Sequence, residues 1–178
     1  MDVVRVYPEN FAGVCAARKG AQPFLVAAEA DGFSNVICGY ARTGIGYGKV
    51  KRELGAIPPN TPDGGLPDPT MLVGRTTCCD IGYKWFQAQK RYEDAPMHVM
   101  DVAIPRLTAD TQDLASRLEF QTEELRALIA FVEKATGRKM DYDRLKDVVD
   151  IAHQSLWHWN EANKLRAVLP CPMPTQDH

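Results

Sequence analysis

Residues 70–102 read TMLVGRTTCCDIGYKWFQAQKRYEDAPMHVMDV, and the fold class turns on this stretch. It opens with the short apolar run Thr70–Gly74, passes through Cys78 and Cys79 into a helical pattern to about Tyr92, and closes on a second strand-like run, Pro96–Val102. Strand, helix and strand in so few residues make a βαβ unit, whose two strands must lie parallel because the helix carries the chain back. A right-handed crossover and an α/β sheet with helices on its faces are the expectation. In such sheets ligands collect beyond the carboxyl ends of the strands, which is where Cys79 falls, near the first turn of the helix.

Working toward the N-terminus, VVRVY at positions 3–7 reads as a buried strand on its β-branched content, and a chain starting there predicts sequence before it. Pro8 and Glu9 suit the first turn of a helix. The Ala-rich stretch Phe11–Ala30 reads as helical with a break at Gly20 and Pro23, and Gly32 as a stop. Residues 34–69 look like a long Gly/Pro/Asn-rich loop, clearest at PPNTPDGGLPDP (58–69), with Cys38 inside it. TGIGYGKV (43–50) resembles a phosphate-binding loop only superficially: it follows no strand and lacks the full fingerprint, so it reads as flexible loop.

Toward the C-terminus, Leu114, Leu118, Leu125, Leu128 and Val132 form an amphipathic helical stripe that Gly137 ends. Asp141 is a good N-cap for a second long helix, with Leu145, Val148, Val149, Ala152, Leu156 and Trp159 on its apolar side. The two helices read as packing and subunit-contact elements, and His153 and His158 as structural or interface residues. The organisation expected is an α/β domain over residues 1–105, a helical hairpin over 106–169 and a Pro-rich tail over 170–178. The domain class is a short parallel three-layer sheet of flavodoxin/Rossmann-like type followed by the two long helices.

The bulk composition excludes several functions. At 178 residues, with 45% hydrophobic and 25% charged residues, the chain can build one ordinary globular core. A formal net charge of −2 gives no basic excess for nucleic acid. No apolar run is long enough to span a membrane, and MDVVRVYPEN lacks the features of a signal peptide, which points to the cytoplasm and reduced thiols.

Five cysteines, Cys15, Cys38, Cys78, Cys79 and Cys171, are an odd number with two adjacent, which argues against a secreted disulfide framework. Cys15 reads as a small buried hydrophobe and Cys171 as incidental. For Cys38 and Cys79 core packing, a redox thiol and a metal cluster all remain open, since no CxxC spacing is present. A zinc site from Cys78, Cys79 and His98 is disfavoured because adjacent cysteines chelate one ion poorly.

Three blocks taken in order are more specific: VYPENFAGVCAARKGAQPFLVAAEADGFSNVICGYAR (6–42), LPDPTMLVGRTTCCDIGYKWFQ (66–87) and PMHVMDVAIP (96–105). This succession resembles the benzoyl-CoA reductase / 2-hydroxyacyl-CoA dehydratase family, nearest to its B-type reductase subunits, and TGRKMDYDRL (136–145) continues the likeness. The resemblance implies a 4Fe–4S cluster, a homologous cluster-bearing partner subunit, an ATP-hydrolysing activator that supplies electrons, and an acyl-CoA substrate reduced one electron at a time. It implies Cys38 and Cys79 as cluster ligands, with Cys78 exchanged for Cys79 by a one-residue slip, and a third cysteine ligand outside this chain. Tyr7, Glu9 and Tyr40 are expected near the substrate. Thr76 and Thr77 stand where relatives often carry paired Asn. Aromatic acyl-CoA reduction is the reaction expected first, 2-hydroxyacyl-CoA dehydration second, and a non-catalytic interaction module of the same fold third. The likeness covers only the N-terminal part of family subunits.

Overall fold

The structure, a computed structural model, describes residues 3–77, 79–104 and 111–172. Cys78, the boundary at residues 105–106 and positions 173–178 of the expected tail lie outside them. Six α-helices and two strands follow in the order α1 (Pro8–Ala17), α2 (Gln22–Ala30), α3 (Gly39–Leu54), β1 (Leu72–Arg75), α4 (Asp80–Gln89), β2 (Met97–Met100), α5 (Thr111–Thr136) and α6 (Tyr142–Lys164). The fold is mixed α/β and mostly helical.

The βαβ unit forms as its sequence dictates. β1 and β2 pair in parallel, from Leu72 opposite Met97 to Arg75 opposite Met100. The Thr76 N–H carries the ladder one step further by donating to the Met100 carbonyl at 3.2 Å. Two strands are all that the described residues contribute, so the three-layer sheet is not present in full. The expected first strand is the part that fails. Residues 3–7 form no strand, and their side chains are exposed. β-branched residues favour extended backbone, but a strand exists only where a neighbour satisfies its N–H and C=O groups.

α1 and α2 behave as read. Pro8 opens α1, the chain breaks over residues 18–21, and Gly32 follows α2 with φ of 91°. Residues 34–69 do not form one long loop, because 39–54 are helix α3. Glycine weakens a helix by about 1 kcal/mol per residue relative to alanine, which is why this stretch reads as loop. Tertiary packing reverses that. A Cβ on Gly46 would lie 1.8 Å from the Phe24 carbonyl oxygen of α2, and one on Gly44 2.5 Å from the Trp85 indole of α4. The glycines let two helices approach the α3 backbone.

α3 is therefore the central element of the core. One cluster joins Phe11, Cys15, Phe24, Tyr47 and Leu66, and a second joins Ala28, Ala41, Ile45 and Trp85. The Tyr47 ring meets Phe11 and Phe24 edge-on at 4.8 and 5.5 Å. Its buried hydroxyl donates to the Leu66 carbonyl at 3.0 Å and accepts from the Leu66 N–H at 2.9 Å, tying loop 58–69 to α3.

The chain divides into two compact units, Asp2–Arg138 and Lys139–His178. In the first, α5 packs on β2, where Phe131 stacks on His98 at 5.2 Å. Gly137, at φ of 69°, ends α5 as its sequence predicts. In the second, Asp141 caps α6, its carboxylate accepting from the Arg144 N–H at 2.9 Å. α6 buries no residue: Val148, Ile151, Leu156, Trp157 and Trp159 are all exposed. No helix among the described residues is long and apolar enough to cross a membrane.

Candidate functional site

Cys38 and Cys79 occupy equivalent places. Each is the residue immediately before a helix, Cys38 at the N-cap of α3 and Cys79 at the N-cap of α4. Both thiols are exposed and unbridged. Neither helix start is capped by a side chain. The first-turn N–H groups thus point outward without a side-chain acceptor, at the positive end of each helix dipole.

The relative direction of these helices follows from their contacts. Gly44 meets Trp85, Gly48 meets Tyr92, and the Arg52 guanidinium donates to the Arg91 carbonyl at 2.7 Å. The earlier part of α3 meets α4 at Trp85 and its later part meets residues 91–92 just past the end of α4, so the two helices run the same way. Gly44 lies six residues after Cys38, and Trp85 six residues after Cys79. At about 1.5 Å of rise per residue each cysteine stands about 9 Å beyond the shared contact. Both N-caps therefore lie toward the same end of two packed helices, the end toward which the carboxyl end of β1 delivers the chain.

Two clamps hold this end. Arg42, in the first turn of α3, ion-pairs with Glu29 of α2, and its Nε donates to the Ile37 carbonyl at 3.3 Å, fixing the residue before Cys38. Beyond the sheet the Thr76 hydroxyl donates to the Asp101 carboxylate. Asp101 accepts from the Val102 N–H at 2.8 Å, and its own N–H donates to Glu124 of α5 at 2.7 Å. The Thr76 hydroxyl, then the Val102 N–H, hold the Asp101 carboxyl below the usual carboxylate range. Sequence reading missed both clamps. Each includes a pair of residues at least thirteen positions apart, Arg42 with Glu29 and Thr76 with Asp101, and no local pattern marks such pairs.

Tyr7 is the N-cap of α1 and Glu9 lies in its first turn, while Tyr40 is the second residue of α3; all three are exposed. Tyr40 is brought to the Cys38 end by the helix itself. Among the described residues no hydrogen bond or ion pair joins Tyr7, Glu9 or Tyr40 to either cysteine. Cys15 is fully buried in the first core cluster, and burial, with a smaller push from the Asp63 charge, raises its thiol. Cys78 lies outside the described residues.

The donor set at this end is two soft thiols. Among the described residues no group of three or more His, Cys, Asp or Glu side chains is arranged to hold a metal ion. Two thiols at uncapped helix starts do fit an anionic, sulfur-rich group, with the remaining ligands supplied from elsewhere.

A separate cleft of about 240 Å³ lies toward the other end of α3, lined by Gly48, Lys51, Arg52, Asp68, Tyr92 and Glu93. Lys51 sits 2.5 Å from Asp68 and 3.5 Å from Glu93, without a well-aligned hydrogen bond. Burial pushes the Glu93 carboxyl up, and Lys51 opposes that shift. Burial presses the Lys51 ammonium down, but Asp68 and Glu93 outweigh it and the net direction is upward. These charges satisfy one another.

The sequence profile of the 2-hydroxyglutaryl-CoA dehydratase D-component matches residues 2–178. The chain belongs to that family. Lactoyl-CoA dehydratase subunit alpha of Anaerotignum propionicum is 27% identical over 97% of this chain and 42% of its own length. The (R)-phenyllactyl-CoA dehydratase alpha subunit of Clostridium sporogenes is 29% identical over 94% of this chain and 38% of its own. The B subunit of benzoyl-CoA reductase from Thauera aromatica is 28% identical over 82% and 32% respectively. The D-component-like chain thus spans about two fifths of the dehydratase subunits it matches.

Proposed function

We propose that this chain is the cluster-holding part of a subunit that dehydrates a 2-hydroxyacyl-CoA by one-electron chemistry. The carrying observation is the pair of N-capping cysteines at one end of two parallel, directly packed helices. Cys38 and Cys79 would supply two thiolates to a 4Fe–4S cluster, and a third cysteine would come from outside the chain. When bound, such a cluster supplies single electrons to the acyl thioester. The chain's own residues do the rest. Uncapped N–H groups at the starts of α3 and α4 offer hydrogen bonds to anionic sulfur. The Gly44–Trp85 contact joins the two helices that the thiols precede, and Tyr40, exposed within one turn of Cys38, would meet substrate. Tyr7 and Glu9 remain candidates for the same role.

Dehydration ranks above aromatic reduction because the dehydratase alpha subunits match 94–97% of this chain, against 82% for the reductase subunit. Aromatic acyl-CoA reduction is the second reading, favoured by the benzoyl-CoA reductase likeness. Either reaction calls for a homologous cluster-bearing subunit and an ATP-hydrolysing activator, both in the cytoplasm.

Anaerobic reconstitution with iron and sulfide tests the proposal. Wild-type protein and Cys15→Ser should bind iron and show a broad visible absorption, whereas Cys38→Ser and Cys79→Ser should lose most of both. Equal iron in all four proteins would reject the ligand assignment.

A further inference from the structure

We infer that Asp101 is a positioning residue for Cys79, tying the exits of β1 and β2 to α5 and so setting where that thiol stands at the start of α4. The inference takes the importance of Cys79 from the proposed function, but its geometry stands independently. Three elements meet at this side chain and its backbone. The Thr76 hydroxyl donates to Asp101 Oδ1 from the end of β1, and the Val102 N–H donates to the same oxygen at 2.8 Å. The Asp101 N–H donates to Glu124 Oε2 of α5 at 2.7 Å.

The link from this knot to the thiol is short. Three residue steps separate Thr76 from Cys79, a span of at most about 10 Å. Beyond Cys79 the chain is held again, because its carbonyl accepts from the Gly82 N–H at 2.9 Å and α4 is seated by Trp85 against Gly44. The described residues on either side of position 78 are therefore each held, Thr76 by Asp101 on the sheet side and Cys79 by α4 on the other. The same tip is also held through the backbone by the Thr76 N–H to Met100 carbonyl bond, and the side-chain knot adds to that hold. Removing the Asp101 carboxylate or the Thr76 hydroxyl would loosen the sheet end while leaving its ladder bond and α4 in place. Nothing among the described residues links Asp101 to Cys38 in the same way, since that thiol is held through Arg42 and α2.

The test is the alkylation rate of Cys79 by a maleimide in a Cys78→Ser background, read by peptide mass spectrometry with Cys38 as internal reference. Asp101→Ala and Thr76→Val should each change the Cys79 rate by about five-fold, the equivalent of one hydrogen bond, and leave Cys38 unchanged. Asp101→Asn keeps an acceptor and Thr76→Ser keeps a donor, so both should stay close to the parent rate. Equal rates in all variants overturn the inference, as does an equal change at Cys38, which would mean general loosening. Asp101→Asn matching Asp101→Ala also overturns it, by assigning the effect to charge. The assay needs no iron, so a protein that binds no cluster yet shows this pattern defeats the proposed function and leaves the positioning role standing.

Discussion

Gly46 has no room for a methyl group, because the Phe24 carbonyl of α2 occupies the place where its Cβ would sit. Helix backbone on both sides prevents either partner from yielding cheaply. Gly46→Ala should therefore destabilise the protein by about 3 kcal/mol or more in urea unfolding, as overpacking of a rigid contact does. Gly13 of α1 has nothing within 4 Å of its absent Cβ, so Gly13→Ala should stabilise by up to about 1 kcal/mol in the same measurement. Two helical glycines with opposite outcomes look alike in sequence. The same blindness explains why TGIGYGKV reads as a flexible loop: the glycines there accommodate neighbours that no local pattern announces. The cysteines were more legible. Their proximity to a strand exit and a helix start could be read for Cys79, whereas the helix after Cys38 could not.

At the level of elements, α3 is joined near its C-terminus by a buried ionic cluster to loop 58–69 and the α4–β2 connection. Lys51 and Glu93 are both buried, at 9% and 8% exposure, so removing Lys51 takes from Glu93 its ion-pair partner, whereas Lys51 would keep Asp68 if Glu93 were removed. Lys51→Met should destabilise by about 3 kcal/mol at neutral pH, the usual cost of orphaning a buried charge. The pH dependence has a definite sign. Burial already raises the Glu93 carboxyl, and Lys51 is the main group that draws it back down, with a smaller pull from Arg52. Without Lys51 the folded-state pKa rises further, and the cost is that of keeping Glu93 ionised. It is full above that pKa and fades as acidification protonates Glu93. Unfolding at neutral pH and at about pH 5 should show the difference between variant and parent shrinking; a constant difference would mean that lost packing, not charge, is responsible. The Lys51–Glu93 pairing could not be read in advance, because its partners are forty-two positions apart and each reads alone as a surface charge.

Across the whole molecule every buried residue among those described lies between Phe11 and Ala95, and α6 contributes none. A chain ended after Arg138 should keep a single cooperative unfolding transition, with stability within about 1 kcal/mol of the full chain. Loss of that transition would show that residues 139–178 are needed for the first unit to fold.

Local pattern was enough for the features whose causes are local. The parallel pair β1–β2 follows from a strand, a helix and a strand in thirty-three residues, the stop at Gly137 from a positive φ that glycine tolerates, and the cap at Asp141 from a side chain reaching its own third neighbour. Family membership was equally legible, because ordered blocks survive in the residues themselves. Tertiary structure alone decided that residues 39–54 are helix, that residues 3–7 pair with nothing described, and that Cys38 and Cys79 stand at one end of α3 and α4. Those outcomes depend on what packs against what across tens of residues, and the energy of such contacts resides in no single segment.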